Sequence, residues 1–382
     1  MSCPGCDRDA RFKEYRTCHV QTLLGRVQYE RAYYRCEHCQ TSWFPTDAEF
    51  GLDDKRSQGA REVIALVGLL EPFEESACQV LPRLTGLQAS ASTVQRVTEA
   101  VGCDVAERRA AGDTIGPDTP WDWHTDAHGQ SVAYVSLDAT GVPQQGPHAE
   151  KAEARMPWVG AVFNPQPKHE TRRRVWDRRY VSGLMSLPEI GRQLRRECQA
   201  VSVSQADLVI VLTDGGNGLE DCLLDTLGGL AQEIQFILDF YHASDHLQEF
   251  AKLLLPHDEL RRQEQARAWS HTLKHQGGSA LLRELNSLDL ADQPAAVIDC
   301  HRRLIGFVDR NLHRMNYPTY MARGWQIGSG MIESACKTVV GQRLKESGMR
   351  WRPPGTTAMC QARALYKSVH PLWDTYWRHV SA

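Results

Sequence analysis

The stretch LVIVLTDGGN, residues 208–217, constrains the fold of this chain more than any other. Five apolar residues and a threonine lead straight into an aspartate, and two glycines end the run. Short, rich in β-branched residues and closed by Gly215 and Gly216, the run from Leu208 to Leu212 predicts a buried strand of a parallel or mixed sheet. Asp214 then stands at the strand's carboxyl end. In open α/β sheets ligands gather at that edge, because the departing loops form a crevice. An aspartate here also has a plainer use, as the cap of a helix beginning near Asn217.

A chain of 382 residues exceeds one ordinary core and predicts two or three domains. Its 42% hydrophobic and 24% charged content are those of a folded soluble protein. No apolar run approaches bilayer length, and MSCPGCDRD carries no apolar segment of the signal-peptide kind. A cytoplasmic location without a membrane partner is the expectation.

The 12 cysteines are unevenly spaced, which favours a metal over disulfide bridges. Four of them form two C-x-x-C pairs, Cys3 with Cys6 in CPGC and Cys36 with Cys39 in CEHC. VQTLLGRVQYERAYYRC, broken at Gly25, suits a β-hairpin feeding the second pair. Two knuckles that each present a pair of thiolates can close a tetrahedral Zn²⁺ site, which stabilises a module too small to do so by its core. Such a zinc is structural, since four thiolates leave no position for water. The 29 residues between the pairs exceed the usual spacing, and Cys18, His19 and His38 are alternative ligands.

Residues 57–111 predict three helices, SQGAREVIALVGLL, FEESACQVLPRLTG and ASTVQRVTEAVGCDVAERRA, the last entered through Ser90 and Ser92. The short turn TGLQAS between the second and third has the form of a helix-turn-helix. Gln95 and Arg96, near the start of the third helix, are its candidate DNA contacts, although helical hairpins also occur in proteins that never touch DNA. The net charge of −3 neither demands nor excludes nucleic acid. KHETRRRVWDRR, with Arg172, Arg173 and Arg174, and RQLRRE supply local cationic surface, which is either a DNA contact or a solvated face.

GDTIGPDTPWD, residues 112–122, is a linker. Beyond it SVAYVSLD, WVGAVFNP and RRYVSGLM predict strands, PEIGRQLRRECQAV a helix, LVIVLTD a strand, 218–227 a helix and IQFILD a strand ending at Asp239. Together these describe an α/β core with a mixed sheet in an α+β, multidomain chain. Residues 242–325 carry helical patterns alone and form an insertion. The expected divisions are therefore 1–50, a zinc ribbon; 51–111, the helix-turn-helix region; 112–122, a linker; 123–241 with 326–382, the catalytic domain; and 242–325, the helical insertion.

Two strands of one sheet now end in carboxylates, Asp138 and Asp214. A third acid, Glu333, lies in the first turn of a helix after Gly328 and Gly330. Strand neighbours lie about 5 Å apart, and carboxylates that close repel unless a cation neutralises them. Hard oxygen ligands at an open site suit Mg²⁺ or Mn²⁺, and two such ions can serve an in-line phosphoryl displacement.

The cysteine pairs, the helix-turn-helix region, SLDATGVP, VLTDGGNG, ILDFYHASDHL and IGSGMIESACKTVVGQRLKESGMRW occur in this order. With that set the chain resembles a bacterial insertion-sequence transposase of the ISKra type, over nearly its whole length. The resemblance implies a ribonuclease-H-like fold and a DDE triad of Asp138, Asp214 and Glu333 that binds two Mg²⁺. It implies double-stranded DNA as partner, both the element's terminal inverted repeats and the target, and a homo-oligomer that handles both ends. Asp239 and His242 match the acid-x-x-His motif of related transposases, which implies a supporting role. His242 as a hydrogen-bonded residue at a helix start is the alternative. Ala139 departs from the pattern, since glycine is the commoner residue after the first aspartate. The rival expectations are a DNA-binding regulator whose α/β domain is inactive, and a nuclease that cuts without strand transfer. Trp351 and Trp373 are expected to pack rather than stack on bases.

Overall fold

The computed structural model describes residues 1–165, 177–216, 218–369 and 372–379. The chain is mixed α+β and divides into two compact units, residues 1–116 with 357–366 and the C-terminal segment, and residues 117–356 with 367–370. The last helices were expected in the catalytic domain. Instead the final turns of helix Pro353–Lys367 and helix Leu372–His379 group with the N-terminal residues. They do so because their side chains complete that unit's core. Arg363 donates to the Leu69 carbonyl, and the Arg109 guanidinium donates to Gln361 at 2.7 Å. Trp373 and Trp377 are buried.

The first unit opens with strands β1 (Arg11–Thr22), β2 (Gly25–Arg35) and β3 (Ser42–Trp43), joined in that order into an antiparallel sheet. The hairpin turns at Gly25, whose φ of +116° lies in glycine's territory. Helices follow at Gln58–Leu70, at 73–85 with a π turn over Ser76–Val80, and at Ala91–Ala111. Ser57 and Ser90 cap the first and last, accepting from the Ala60 and Thr93 backbone N–H groups. Helix Ala91–Ala111 buries Val94, Val97, Val101 and Val105. At Gly102 it passes so close to Ala358 that a Cβ would lie 1.9 Å from that residue's carbonyl oxygen.

The second unit is built on one mixed sheet. Strands β4 (His124–Thr125), β5 (Ser131–Ala139), β8 (Trp158–Asn164), β9 (Asp177–Gly183), β10 (Leu208–Thr213) and β11 (Ile234–Leu238) form it in the order β11-β10-β5-β8-β9, with β4 against β5. β5, β8 and β9 are antiparallel neighbours, whereas β10 runs parallel to both β5 and β11. The two remaining strands, β6 (Val142–Gln145) and β7 (Lys151–Arg155), make a separate hairpin. Val135, Leu137, Val209, Val211 and Phe236 belong to one apolar cluster with Ile190 and Leu194 of helix Leu187–Ala200 and Leu223 of helix Leu219–Leu227. That cluster fixes which face of each strand carries the odd positions.

Between β11 and residue 322 the described elements are helical: Phe240–Leu254, Glu259–Gln276, Gly278–Asn286, Ala295–Asn311 and Tyr317–Ala322. Helix Gly330–Ala335 then packs on β5 and β8 and runs into a π turn over Cys336–Gly341. Among the described residues no helix is long and apolar enough to cross a membrane.

Candidate functional site

The two cysteine pairs are built alike. The Cys3 N–H donates to the Arg8 carbonyl and the Cys36 N–H to the Thr41 carbonyl, each at 2.9 Å, so both loops close over the same span. Each loop turns at a positive-φ residue after its second cysteine, Asp7 at +58° and Gln40 at +60°. Cys3 and Cys39 Sγ lie 3.4 Å apart, Cys6 and Cys36 Sγ 3.6 Å, and all four sulfurs lie within 4.8 Å of one another. Sulfurs at about 2.3 Å from a tetrahedral zinc stand roughly 3.8 Å apart, so the set fits a structural metal. Thiols this close do not ionise independently. Hydrogen bonds to Thr41 lower Cys39 to about 6. The Arg8 backbone pulls Cys6 down, but hydrogen bonding with Cys39, loss of water and the other thiols push it up to about 12. A dication resolves that conflict. Cys18 lies in β1 with its thiol turned to the His19 carbonyl, outside the cluster.

The open face of the hairpin is aromatic. Phe12 meets Tyr15 and Tyr34 at ring separations of 5.1 and 5.9 Å, and Tyr34 meets Trp43 at 5.8 Å. Of the expected helix contacts, Arg96 is exposed but pairs with Asp54 at 2.5 Å, and Gln95 bonds Glu99 at 2.9 Å. Arg172, Arg173 and Arg174 lie outside the described residues. Among the described residues of the two cationic runs, Arg192 is exposed, but two other arginines are turned to local partners. Arg179 is buried against Glu197 at 3.4 Å, and Arg195 donates to the Thr226 and Gly228 carbonyls at a helix end. Each answers a local need, one a buried acid and the other unpaired helix carbonyls.

The carboxylates collect at the other unit's sheet edge. Strand register aligns Leu212 with Ser136 and Thr213 with Leu238, so the same pairing carried forward sets Asp214 level with both Asp138 and Asp239. Because side chains alternate along a strand, all three fall on the face opposite the apolar cluster. Helix Gly330–Ala335, which carries Glu333, packs on β5 and β8.

Each acid is held. Asp138 Oδ1 accepts from the Ala139 N–H at 2.6 Å, and Oδ2 lies 3.7 Å from the Cys336 thiol. Asp214 Oδ1 accepts from the Gly216 N–H at 2.9 Å. Asp239 is buried and caps helix Phe240–Leu254 through the Tyr241 N–H. The Ser329 hydroxyl lies 2.5 Å from Asp239 Oδ2 and 3.2 Å from Glu333 Oε1, so two carboxylates compete for one proton donor. A Cβ at Gly328 would lie 2.5 Å from the exposed Tyr241 ring, which would have to move to admit it. Among the described residues His242 forms no side-chain hydrogen bond or ion pair; its ring meets His246 at 4.9 Å and Phe307 at 6.3 Å.

Burial raises the pKa of Asp138, and the charges of Asp214 and Glu333 raise it further against the pull of the Ala139 N–H. The field of one acid thus reaches the other two. Among the described residues, none of Asp138, Asp214, Asp239 and Glu333 forms an ion pair with Lys, Arg or His. The cysteines are the one set of three or more Cys, His, Asp or Glu among those residues with ligand atoms within 4.8 Å of one another; the acids share one end of the sheet at wider spacing. Carboxylate oxygens are hard ligands of the kind that Mg²⁺ and Mn²⁺ take. Ser329, Cys336 and the neighbouring Arg314 escaped sequence reading. Only the IGSG run signalled the first.

No protein-family model and no curated protein matches the chain.

Proposed function

We propose that the chain is a DDE transposase of an insertion sequence, with a ribonuclease-H-like catalytic core that cuts and rejoins DNA at Asp138, Asp214 and Glu333. The observation that carries this reading is the placement of Asp138, Asp214 and Asp239 on one face of three adjacent parallel strands, with Glu333 on a helix packed over that face. The mixed sheet with helical residues inserted after β11 supports it. Bound Mg²⁺ or Mn²⁺ supplies water activation and neutralises the leaving oxygen.

The chain's own groups prepare the site for this. Ala139 and Gly216 N–H groups aim Asp138 and Asp214, and Ser329 links Glu333 to Asp239. Hydrolysis breaks the P–O3′ bond at the element's end and frees a 3′-hydroxyl, which then attacks a phosphorus of target DNA, forming a new P–O3′ bond while the target's P–O3′ bond breaks and its 3′-oxygen leaves as a hydroxyl. The zinc ribbon, with its exposed rings and cations, and the start of helix Ala91–Ala111 hold the ends. Arg96 must leave Asp54 to do so, a small cost because exposed ion pairs are worth about 0–1 kcal/mol. Two ends require two active sites, hence a homo-oligomer. The chain acts on cytoplasmic DNA.

The test is a plasmid bearing the segments that flank the gene. Wild type with Mg²⁺ gives nicked and joined products, and Asp214→Asn gives neither while still binding the ends. Cleavage that persists in EDTA contradicts the reading, and nicking without joining makes the enzyme a nuclease.

A further inference from the structure

We infer that Arg314 and Tyr317, in the turn by which the helical insertion rejoins the sheet, are positioning residues for the carboxylates at 214 and 239. The inference rests on the reading of Asp214, with Asp138 and Glu333, as a divalent-cation site to which Asp239 is tied through Ser329.

The Arg314 side chain is 8% exposed. Its Nη1 lies 3.4 Å from Thr213 Oγ1 and 3.2 Å from Glu220 Oε2, and Nε donates to Asn311 Oδ1 at 2.8 Å. Thr213 immediately precedes Asp214, and Glu220 lies in the first turn of helix Leu219–Leu227, which follows it. One guanidinium therefore grips both ends of the turn that presents Asp214. Asn311 is held in its turn by the Phe307 carbonyl at 2.7 Å, and His313 Nε2 adds a contact to Glu220 at 3.1 Å. Gly215 leaves room beside the next strand, because a Cβ there would stand 2.8 Å from Leu238 Cδ1.

Three residues further on the arrangement repeats at the next strand. Tyr317 is fully buried, and its hydroxyl donates to the Leu238 carbonyl at 2.9 Å, one residue before Asp239. Its ring also meets Phe240, one residue after, edge-on at 5.4 Å. A single turn thus braces two neighbouring strand ends, each at the residue preceding an acid. Burying an arginine is costly unless its donors are satisfied, and a lysine cannot span the same acceptors, since the planar fork is what reaches them together. Side chains of the insertion therefore hold the strand ends that carry Asp214 and Asp239.

Calorimetric titration of Mn²⁺ into the full chain tests this, with circular dichroism in EDTA as the control for folding. Wild type takes up Mn²⁺. Arg314→Lys weakens the affinity by about 10-fold or more, the cost typical of groups that orient metal ligands. Thr213→Val and Tyr317→Phe, which each remove one hydroxyl, weaken it in the same direction and keep the fold if Arg314→Lys does not. Raised Mn²⁺ restores DNA cleavage in these variants, which a loss of folded protein would not allow. Wild-type uptake with unchanged affinity in folded Thr213→Val and Tyr317→Phe overturns the brace alone. A wild type that takes up no Mn²⁺ overturns the brace together with the metal reading beneath it.

Discussion

Asp138 bears two opposed demands. Burial and the charges of Asp214 and Glu333 raise its pKa, so the folded chain holds a proton there more tightly than the unfolded chain does. The sign of the linkage follows. Without divalent ions, stability is lost as pH rises from the ordinary carboxylate range through the raised folded value, and the penalty is complete above it. Asp138→Asn removes that penalty. In EDTA at pH 8 the variant melts above wild type, and the difference fades as pH falls. Added Mg²⁺ stabilises wild type but not the variant. Melting curves that coincide at both pH values contradict the assigned burden.

At the scale of elements, much was legible because local pattern and tertiary fate agree. LVIVLTD is a strand and its aspartate leaves the end of it, and the run from Ser131 to Asp138 alternates between the two faces of β5. The β6–β7 hairpin was not legible, because PQQ and KAEAR carry no apolar alternation and owe their pairing partly to Trp351, which bonds Pro143 and Gln145. The roles of Arg314 and Ser329 were equally hidden, since each acts on residues about 90 or more positions away. The grouping of the C-terminal helices with the N-terminal residues was not legible, because a helix's sequence names its buried face and not what covers it. Gly102 tests their true place. Gly102→Ala drives a methyl group into the Ala358 carbonyl and costs about 1–3 kcal/mol, the range for overpacking. Guanidinium denaturation measures it, and an unchanged midpoint contradicts the close helix crossing.

At the scale of the whole molecule, the proposed function gives the two metals different jobs, a structural zinc at the four cysteines of the first unit and divalent ions at the acids of the second. Cys36→Ser should release one zinc per chain and weaken binding to the element's ends, while Mn²⁺ uptake by the acid cluster is retained. Unchanged end binding removes the ribbon from DNA recognition. The claim beneath everything else is that Asp138, Asp214 and Glu333 share divalent ions. Crystals of the full chain grown with Mn²⁺, and their anomalous scattering, test it most directly. The account predicts manganese peaks ligated by those three side chains and absent in Asp214→Asn. Peaks elsewhere, with the three carboxylates bare and apart at saturating Mn²⁺, would contradict it.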